Sequence, residues 1–328
     1  MRKVFPLFIL SVLLLLFASC GKGSITFTDL TPPSSEAQAS FSPTETPLPS
    51  AEPCVFAADL SLLPTDQAEH LTAYDAADAW ESLTDAILNA RTCVELNREE
   101  ALRPVMDVFE RSPFADIATL ESDGTRIDIT YSGARSAEAL KDAVESLLNG
   151  SLSAEHDHLE TLLSLYQTAA QFQYADTSSP SLYRTLAEQK GSSEEISMAL
   201  QYLLTQAGFK ARLAYASSAD HYWVIAEVDG SSYHFDPVFE AAATNGLGLS
   251  YFGMSDATHA SSVGSPDYTV GLGASAEQHD DLCSSTMLDE LFSNVTAWEL
   301  DLSAHTIAVQ FGFETDSMTE YSTKAFGN

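Results

Sequence analysis

Apolar residues recur at helical spacing in five segments of the chain. In the clearest of them, apolar positions from Ile196 to Ala207 lie three or four residues apart, which places them on one face of a helix. Ser192 and Glu195 form a capping box before this face, and Gly208 follows it, as is typical of the two ends of a helix. The same spacing predicts helices in four earlier segments, 76–90, 98–111, 137–148 and 159–170.

Residues that alternate with period two predict strands after the long helix. Three runs have this pattern, 211–216, 221–228 and 232–239, and Asp229-Gly230 is the tight turn between the last two. Alternation also predicts one hairpin before the helix and one near the end of the chain, over 117–131 and 298–313. Because helices precede a series of sequential strands, the sequence predicts an α+β fold with an antiparallel sheet.

The first twenty residues have the features of an export signal. Arg2 and Lys3 precede an almost wholly apolar run, 4–17, which is shorter than the roughly 20 residues that a membrane-spanning helix needs. With two small residues before Cys20, the segment resembles a bacterial lipoprotein signal. That resemblance implies that residues 1–19 are removed and that Cys20 becomes the lipidated N-terminus. An ordinary cleaved signal with a chance cysteine is the alternative.

The composition divides the remaining chain into three parts. Residues 20–54 are rich in Ser, Thr and Pro, which predicts a disordered stalk. Residues 55–150 are predicted to form an N-terminal α+β region, and residues 151–328 a second domain with the long helix and the later strands. We therefore expect a folded unit on the extracellular face of the cell membrane, anchored through Cys20.

The chain is strongly acidic, with 47 Asp and Glu residues against 15 Lys and Arg residues and a formal net charge of −32. Hydrophobic residues make up 45%, which is enough for a folded core. Nucleic-acid binding needs basic residues that neutralise phosphates, and anionic lipid headgroups attract basic segments. The charge therefore excludes nucleic acid as a partner and leaves the lipid on Cys20 as the predicted link to a membrane.

Neither the cysteines nor the histidine clusters have the spacing of metal ligands. Cys54, Cys93 and Cys283 show no CxxC pattern, and because three is an odd number, at most one disulfide can form among them. Residues 155–158 contain two histidines whose spacing does not place them on one helix face, and 279–281 has the composition of a charged loop. Both segments predict solvated surface, and we expect no metal and no cofactor.

A candidate site lies on the hairpin formed by 221–228 and 232–239. Because side chains alternate along a strand, His221 and Asp236 point to the same face, and a two-residue turn makes them diagonal neighbours. A histidine oriented by an aspartate is the base half of a nucleophilic site. Ser193, at the start of the long helix, is the candidate third member, since backbone N–H groups there stabilise an anion.

Each residue of this site also has a purely structural interpretation. Trp223 and His234 share the face of the pair and are candidate binding residues, but Trp223 could serve only for packing, and His234 could be a rival base. Ser193 could only cap the helix, His221 could only stabilise the sheet, and Asp236 could only end a strand.

The run 191–237 resembles the core of the transglutaminase-like superfamily, whose bacterial extracellular members have a papain-related fold. The resemblance extends over about 155–262 and implies a nucleophile, a base and an orienting aspartate. The matched positions are Gly191 for the glycine before the nucleophile, Ser193 for the nucleophilic cysteine, His221 and Trp223 for a His-x-Trp motif, Tyr233, Asp236 and Pro237 for a Tyr-x-x-Asp-Pro motif, and Tyr251, Phe252, Ser255 and Asp256 for a later element.

Three departures from the family pattern bear on activity. Ser193 stands where the family has cysteine, Glu195 where it has glycine, and Val224 where it often has asparagine. A hydroxyl is far less acidic than a thiol, so the same geometry does not generate a thiolate–imidazolium pair. We therefore expect a non-catalytic relative that binds a peptide, a cell-wall peptide or a protein partner. The alternatives are a serine-dependent hydrolase or transamidase that uses Ser193, His221 and Asp236, and a purely structural module.

Overall fold

The computed structural model describes residues 55–176, 179–264, 266–312 and 318–325. The predicted signal peptide, the predicted lipidation site Cys20 and the predicted stalk fall in residues 1–54, outside the described residues. None of the described helices is long and apolar enough to cross a membrane.

Ten α-helices form within the described residues, and five of them lie in predicted segments. The other five have nine residues or fewer, too short for a clear periodic pattern. The helices are α1 (Thr65–Ala73), α2 (Ala77–Leu88), α3 (Leu102–Arg111), α4 (Ala137–Ser151), α5 (His158–Ala170), α6 (Leu182–Glu188), α7 (Ser193–Gln206), α8 (Pro237–Thr244), α9 (Asp256–Val263) and α10 (Met287–Phe292).

The strands in the described part of the chain pair almost entirely antiparallel, as predicted. They are β1 (Cys93–Glu95), β2 (Ala118–Asp123), β3 (Arg126–Tyr131), β4 (Gln173–Tyr174), β5 (Lys190–Gly191), β6 (Ala211–Ala216), β7 (His221–Val228), β8 (Ser231–Phe235), β9 (Phe252–Met254), β10 (Tyr268–Val270), β11 (Glu277–His279), β12 (Val295–Asp301), β13 (Thr306–Phe311) and β14 (Thr319–Ser322). The largest sheet has the order β11-β10-β6-β7-β8-β9, and β1-β3-β2 and β12-β13-β14 form two smaller sheets. The short pair β4-β5 is parallel.

Apolar side chains cover the six-stranded sheet on both faces. On one face, Val224 and Phe235 belong to the main core, which also includes residues of α5 and α7. On the other face, a smaller cluster surrounds Trp223. The main core takes residues from both sides of position 150, and the described residues belong to one compact unit, Glu52–Asn328. The division at 150 stays a prediction.

The hairpin of β7 and β8 has the tight register that the turn predicts. Val228 pairs with Ser231, so His221 and Asp236 are brought together as expected. The predicted strand 232–239 is wrong beyond Phe235, because Asp236 caps α8 and Pro237 occupies its first position. A proline there costs nothing, since that N–H has no partner within a helix.

Two residues other than Ser193 establish the start of α7. Ser192 is the N-cap, its hydroxyl accepts from the N–H of Glu195, and the Glu195 carboxylate accepts from the N–H of Ser192. The predicted capping box is therefore confirmed, and the interpretation of Ser193 as the cap is wrong. Glu195 is fully buried and also accepts from the Ser181 N–H and from Arg184, which ties α6 to α7.

Gly191 leaves no room for a side chain, and this gives a first prediction. A Cβ atom there would lie 2.7 Å from Thr185 Oγ1 and 2.8 Å from Glu195 Cβ, so we expect Gly191→Ala to lower the free energy of unfolding by about 2 kcal/mol. Gly150→Ala is the control, because its Cβ would meet nothing within 4 Å. Urea unfolding measures both, and a Gly191→Ala variant as stable as the control would contradict the prediction.

Candidate functional site

Ser193 and His221 line one open cleft of about 690 Å³. The end of α5 and the segment after it, the start of α7, the turn before β7 and one side of α8 form its walls. The lining is mostly small or apolar, with Ala219, Val238 and Ala242 among its residues. The structure thus brings the predicted nucleophile position and the predicted base to the same concave surface.

Asp236 holds His221 in one orientation. Asp236 Oδ2 lies 2.6 Å from His221 Nε2, and Oδ1 accepts from the N–H of Phe239 at 2.9 Å. The Phe239 ring stacks on the imidazole, with ring centroids 4.2 Å apart and planes at 11°. Asp236 is fully buried, so its carboxylate is shielded from water, and the imidazole is held by this carboxylate and by the Phe239 ring.

The hydrogen bond to Asp236 determines which nitrogen of His221 is left for a ligand. Both oxygens of a carboxylate accept, so Nε2 donates to Asp236, and a neutral imidazole then offers Nδ1 as an acceptor. Within the described residues, no hydrogen bond is made to Nδ1. His221 is only 6% exposed, yet it lines the cleft.

No cysteine of the described part of the chain lies in this arrangement. Ser193 is the first residue of α7, and among the described residues its hydroxyl makes no hydrogen bond to His221. Neither Cys93 nor Cys283 lines the cleft; both are free thiols, and Cys283 is buried. Burial raises the pKa of the Cys283 thiol, which makes it unreactive. Cys54 lies outside the described residues.

Two buried residues that were not predicted from the sequence, Tyr166 and Glu240, form a hydrogen-bonded group at the backbone of Asp236. The Tyr166 hydroxyl lies 3.1 Å from the Asp236 carbonyl oxygen and 3.1 Å from Glu240 Oε2. Glu240 also accepts from the N–H of Tyr251 at 2.7 Å, and burial raises its pKa. Tyr166 falls on the apolar face of α5 and Glu240 in an unpredicted helix, so neither carried a signal for this role.

Trp223 belongs to the smaller core, His234 lies against it, and neither residue lines the cleft. Both are fully buried. Trp223 Nε1 donates to His234 Nδ1 at 2.8 Å, and His234 Nε2 lies 3.0 Å from Asp256 Oδ1. A histidine that accepts at one nitrogen and donates at the other is neutral, and burial lowers the pKa of His234 accordingly. A binding role for Trp223 and His234 stays a prediction.

His234, Asp256 and Cys283 come close enough to suggest a metal site, but their hydrogen bonds do not fit one. A ligating histidine normally donates its second N–H to an acceptor, whereas His234 Nδ1 accepts from Trp223. Asp256 already accepts from Tyr268, His234 and the N–H of Cys283.

A second group of potential metal ligands corrects the prediction for 155–158. Asp157, Glu160 and His305 lie together, and Asp157 and Glu160 form the capping box of α5. Positions 156–158 are partly buried, so solvated surface was wrong for them. Glu160 accepts from Thr323, and His305 Nδ1 lies 3.2 Å from its carboxylate oxygens, which joins α5 to the C-terminal strands.

A serine, a histidine and an aspartate are in contact at a place away from the cleft. His70 Nδ1 is 2.8 Å from Ser275 Oγ, and His70 Nε2 is 3.3 Å from Asp107 Oδ2. The Ser275 hydroxyl is also 2.8 Å from the carbonyl oxygen of Leu272, to which it can donate its single proton. His70 is 1% exposed. The contact holds the loop after β10 against α1 and α3.

His259 gives a prediction on pH dependence. Its ring lies 4.1 Å from that of Trp223 and 4.3 Å from that of His234, and burial, with His234 and His221 adding to it, lowers its pKa to about 2. The unfolded chain binds this proton near pH 6.5, so stability is complete above pH 6.5 and falls as the pH drops towards 2. We expect a loss of about 2 kcal/mol between pH 6.5 and 5 from this group.

The His259→Leu variant isolates that contribution. Urea unfolding of wild type and variant from pH 7.5 to 5 is the measurement, and the difference between the two curves reports residue 259. Parallel curves would contradict the prediction.

Comparisons with known proteins identify no family. No protein-family model matches the chain, and no curated protein matches it. Among solved structures, the chain is similar to a candidate cysteine protease from Cytophaga hutchinsonii, with 18% sequence identity and a TM-score of 0.24. The match covers 30% of this chain and 36% of that protein. At this score the match does not support a fold assignment.

Proposed function

We propose that the chain is a cell-surface lipoprotein with a transglutaminase-like domain whose cleft binds an extended peptide without cleaving it. The peptide belongs to the cell wall or to an exposed segment of a protein partner. The observation that carries this proposal is an oriented histidine in an open cleft where the residue at the nucleophile position is a serine.

The shape and lining of the cleft favour binding. Its volume of about 690 Å³ is within the range of ligand sites, and small apolar residues with a few polar groups are typical of such sites. Ala219, Val238 and Ala242 leave room beside Ser193 and His221. A short peptide in extended form fits this kind of groove.

The chemistry of the cleft argues against retained thiol catalysis. A general base activates a nucleophile that lies at hydrogen-bond distance from it. Among the described atoms, Ser193 and His221 make no hydrogen bond to each other. The two described cysteines lie elsewhere. His221 and Asp236 therefore remain as a site that accepts a hydrogen bond from a ligand.

A blocked cleft tests the binding proposal. Ala242 lines the cleft, and Ala243 is the next residue of α8, exposed and outside the lining. We expect synthetic alanine-based pentapeptides, titrated into the full chain by NMR, to bind wild type and Ala243→Trp alike. We expect at least fivefold weaker binding to Ala242→Trp. No binding to wild type, or equal binding to both variants, would overturn the proposal.

A serine-dependent hydrolase or transamidase is the second candidate, because Ser193 and His221 share one cleft. An alcohol-directed acylating probe would label Ser193 in that case, and peptide cleavage or amide exchange would disappear in Ser193→Ala. Such a result would refute binding without catalysis. Silence of the probe on folded protein counts against the hydrolase.

The anchor is tested separately from the cleft. We expect Cys20→Ala to release the chain from the membrane fraction of expressing cells, because the strongly acidic chain has no electrostatic attraction to anionic headgroups. Equal membrane retention of both forms would contradict the lipid anchor and leave the cleft proposal intact.

A further inference from the structure

The described lining of the cleft contains an acidic residue but neither a lysine nor an arginine. Of the residues that line it, Asp220 is the one with a carboxyl group. Asp220 lies in the turn directly before His221, with a positive φ of 48°. An anionic ligand would therefore meet this carboxylate without a lysine or an arginine in the described lining to compensate for it.

Two more carboxylates lie near the edge of the cleft. The Tyr174 hydroxyl, on a side chain that lines the cleft, lies 3.2 Å from Asp176 Oδ1. Burial, the Asp176 carboxylate and the Asp220 carboxylate raise the pKa of Tyr174. Glu194 follows Ser193, and its pKa is raised by burial and by Asp220 while Arg111 opposes this. Asp176, Glu194 and Asp220 therefore all contribute to the electrostatics of one edge of the cleft. The chain as a whole is also acidic, with a formal charge of −32.

His221 adds a second observation that points to a ligand which donates hydrogen bonds. The side chain is more than nine-tenths buried and lines the cleft, and Nδ1 has no hydrogen-bond partner among the described residues. Because Nε2 is bonded to Asp236, Nδ1 is the ring nitrogen that remains to accept a hydrogen bond from a ligand. The cleft therefore offers an acceptor on the same lining as the carboxylate of Asp220.

We propose that the cleft selects a positively charged peptide, whose ammonium or guanidinium group pairs with Asp220 while a neighbouring N–H donates to Nδ1 of His221. This inference rests on the proposed peptide-binding function and names the charge class of its ligand. Charge-assisted hydrogen bonds to a carboxylate are stronger than neutral ones, and an acidic surface speeds the approach of a cation.

The chain offers a matched control for the test. Asp220 and Asp229 both lie in turns at the ends of β7 with positive φ, 48° and 52°, a conformation that asparagine adopts readily. Asp220→Asn also keeps an oxygen that can accept from the Tyr215 hydroxyl, 3.3 Å away. Asp229 lies at the opposite end of the strand from the cleft. Asp229→Asn therefore reproduces the change in total charge and in turn residue without a change in the cleft.

The experiment compares two peptides of equal length that differ in charge. The probes are acetyl-Ala-Ala-Lys-Ala-Ala-amide and the same peptide with Nε-acetyl-lysine, titrated into the full chain by NMR. We expect wild type and Asp229→Asn to bind the charged peptide about fivefold more tightly, and Asp220→Asn to bind both equally. The preference should weaken at high salt, because salt screens exposed charges.

Each of the other outcomes would overturn a different part of the proposal. Equal binding of both peptides to wild type overturns this inference and leaves peptide binding in place. A preference that survives in Asp220→Asn overturns the assignment to Asp220. No binding of either peptide overturns the proposed function together with the inference. Thermal unfolding of the variants checks that their folds are unchanged.

Discussion

Replacing Ser193 with cysteine is expected to produce a thiol that iodoacetamide alkylates about tenfold faster at pH 6.5 than the same thiol in a His221→Ala background. Position 193 is the first residue of the 14-residue helix α7, where backbone N–H groups stabilise an anion. His221 lines the same cleft, and an imidazole next to a thiol lowers the pKa of that thiol.

Mass spectrometry of the alkylated protein separates residue 193 from the natural cysteines. Cys93, which is partly exposed, serves as an internal reference for an ordinary thiol. The pH dependence of alkylation at 193 gives the pKa of the new thiol. A rate at 193 that matches the double variant would show that His221 does not act on this position.

Asp236→Ala is expected to lower the free energy of unfolding by about 3 kcal/mol. The substitution removes the N-cap of α8, worth about 1 kcal/mol. It also leaves His221 Nε2 buried without its partner at 2.6 Å, which costs about 2 kcal/mol more. Urea unfolding at pH 7 measures the loss.

Ser136→Ala is the control for the cap alone. Ser136 is exposed and caps α4 through a hydrogen bond from the Ala139 N–H at 3.1 Å, so its loss is expected to cost about 1 kcal/mol. An Asp236→Ala variant no less stable than Ser136→Ala would mean that the bond to His221 adds nothing to the fold.

The Asp236→Asn variant tests the position of the proton on the His221 ring separately from the stability of the fold. The amide oxygen can still cap α8, but the amide nitrogen then faces Nε2 and requires that nitrogen to accept. The proton moves to Nδ1, which removes the acceptor proposed for the ligand. We expect near wild-type unfolding with weakened peptide binding.

Local patterns predicted the strands that carry the site, because their signals lie within a few residues. The bounds of β6 and β7 agree with the alternation, and the Asp229-Gly230 turn predicts the register that brings His221 and Asp236 together. The helix α8 was missed, since it has eight residues and Val238 and Phe239 continue the alternation of the strand.

The burial of Trp223 and His234 could not be predicted from their own strands. Their side chains are covered by Tyr268, His259 and Asp256, which follow more than twenty residues later in the chain. An alternating pattern assigns side chains to two faces, but it does not say what packs on each face. The acidic edge of the cleft is likewise a product of tertiary packing.

The capping box of α7 assigns the start of the helix and the chemistry of the cleft to different residues. Ser192 and Glu195 support the helix, so the atom that residue 193 presents to the cleft has no part in starting it. Evolution can therefore exchange oxygen and sulfur at this position with little effect on folding. A change at Glu195 would instead release Ser181, Arg184 and Ser192 together. In this chain, therefore, one residue determines the reactivity of the cleft and other residues determine whether α7 folds.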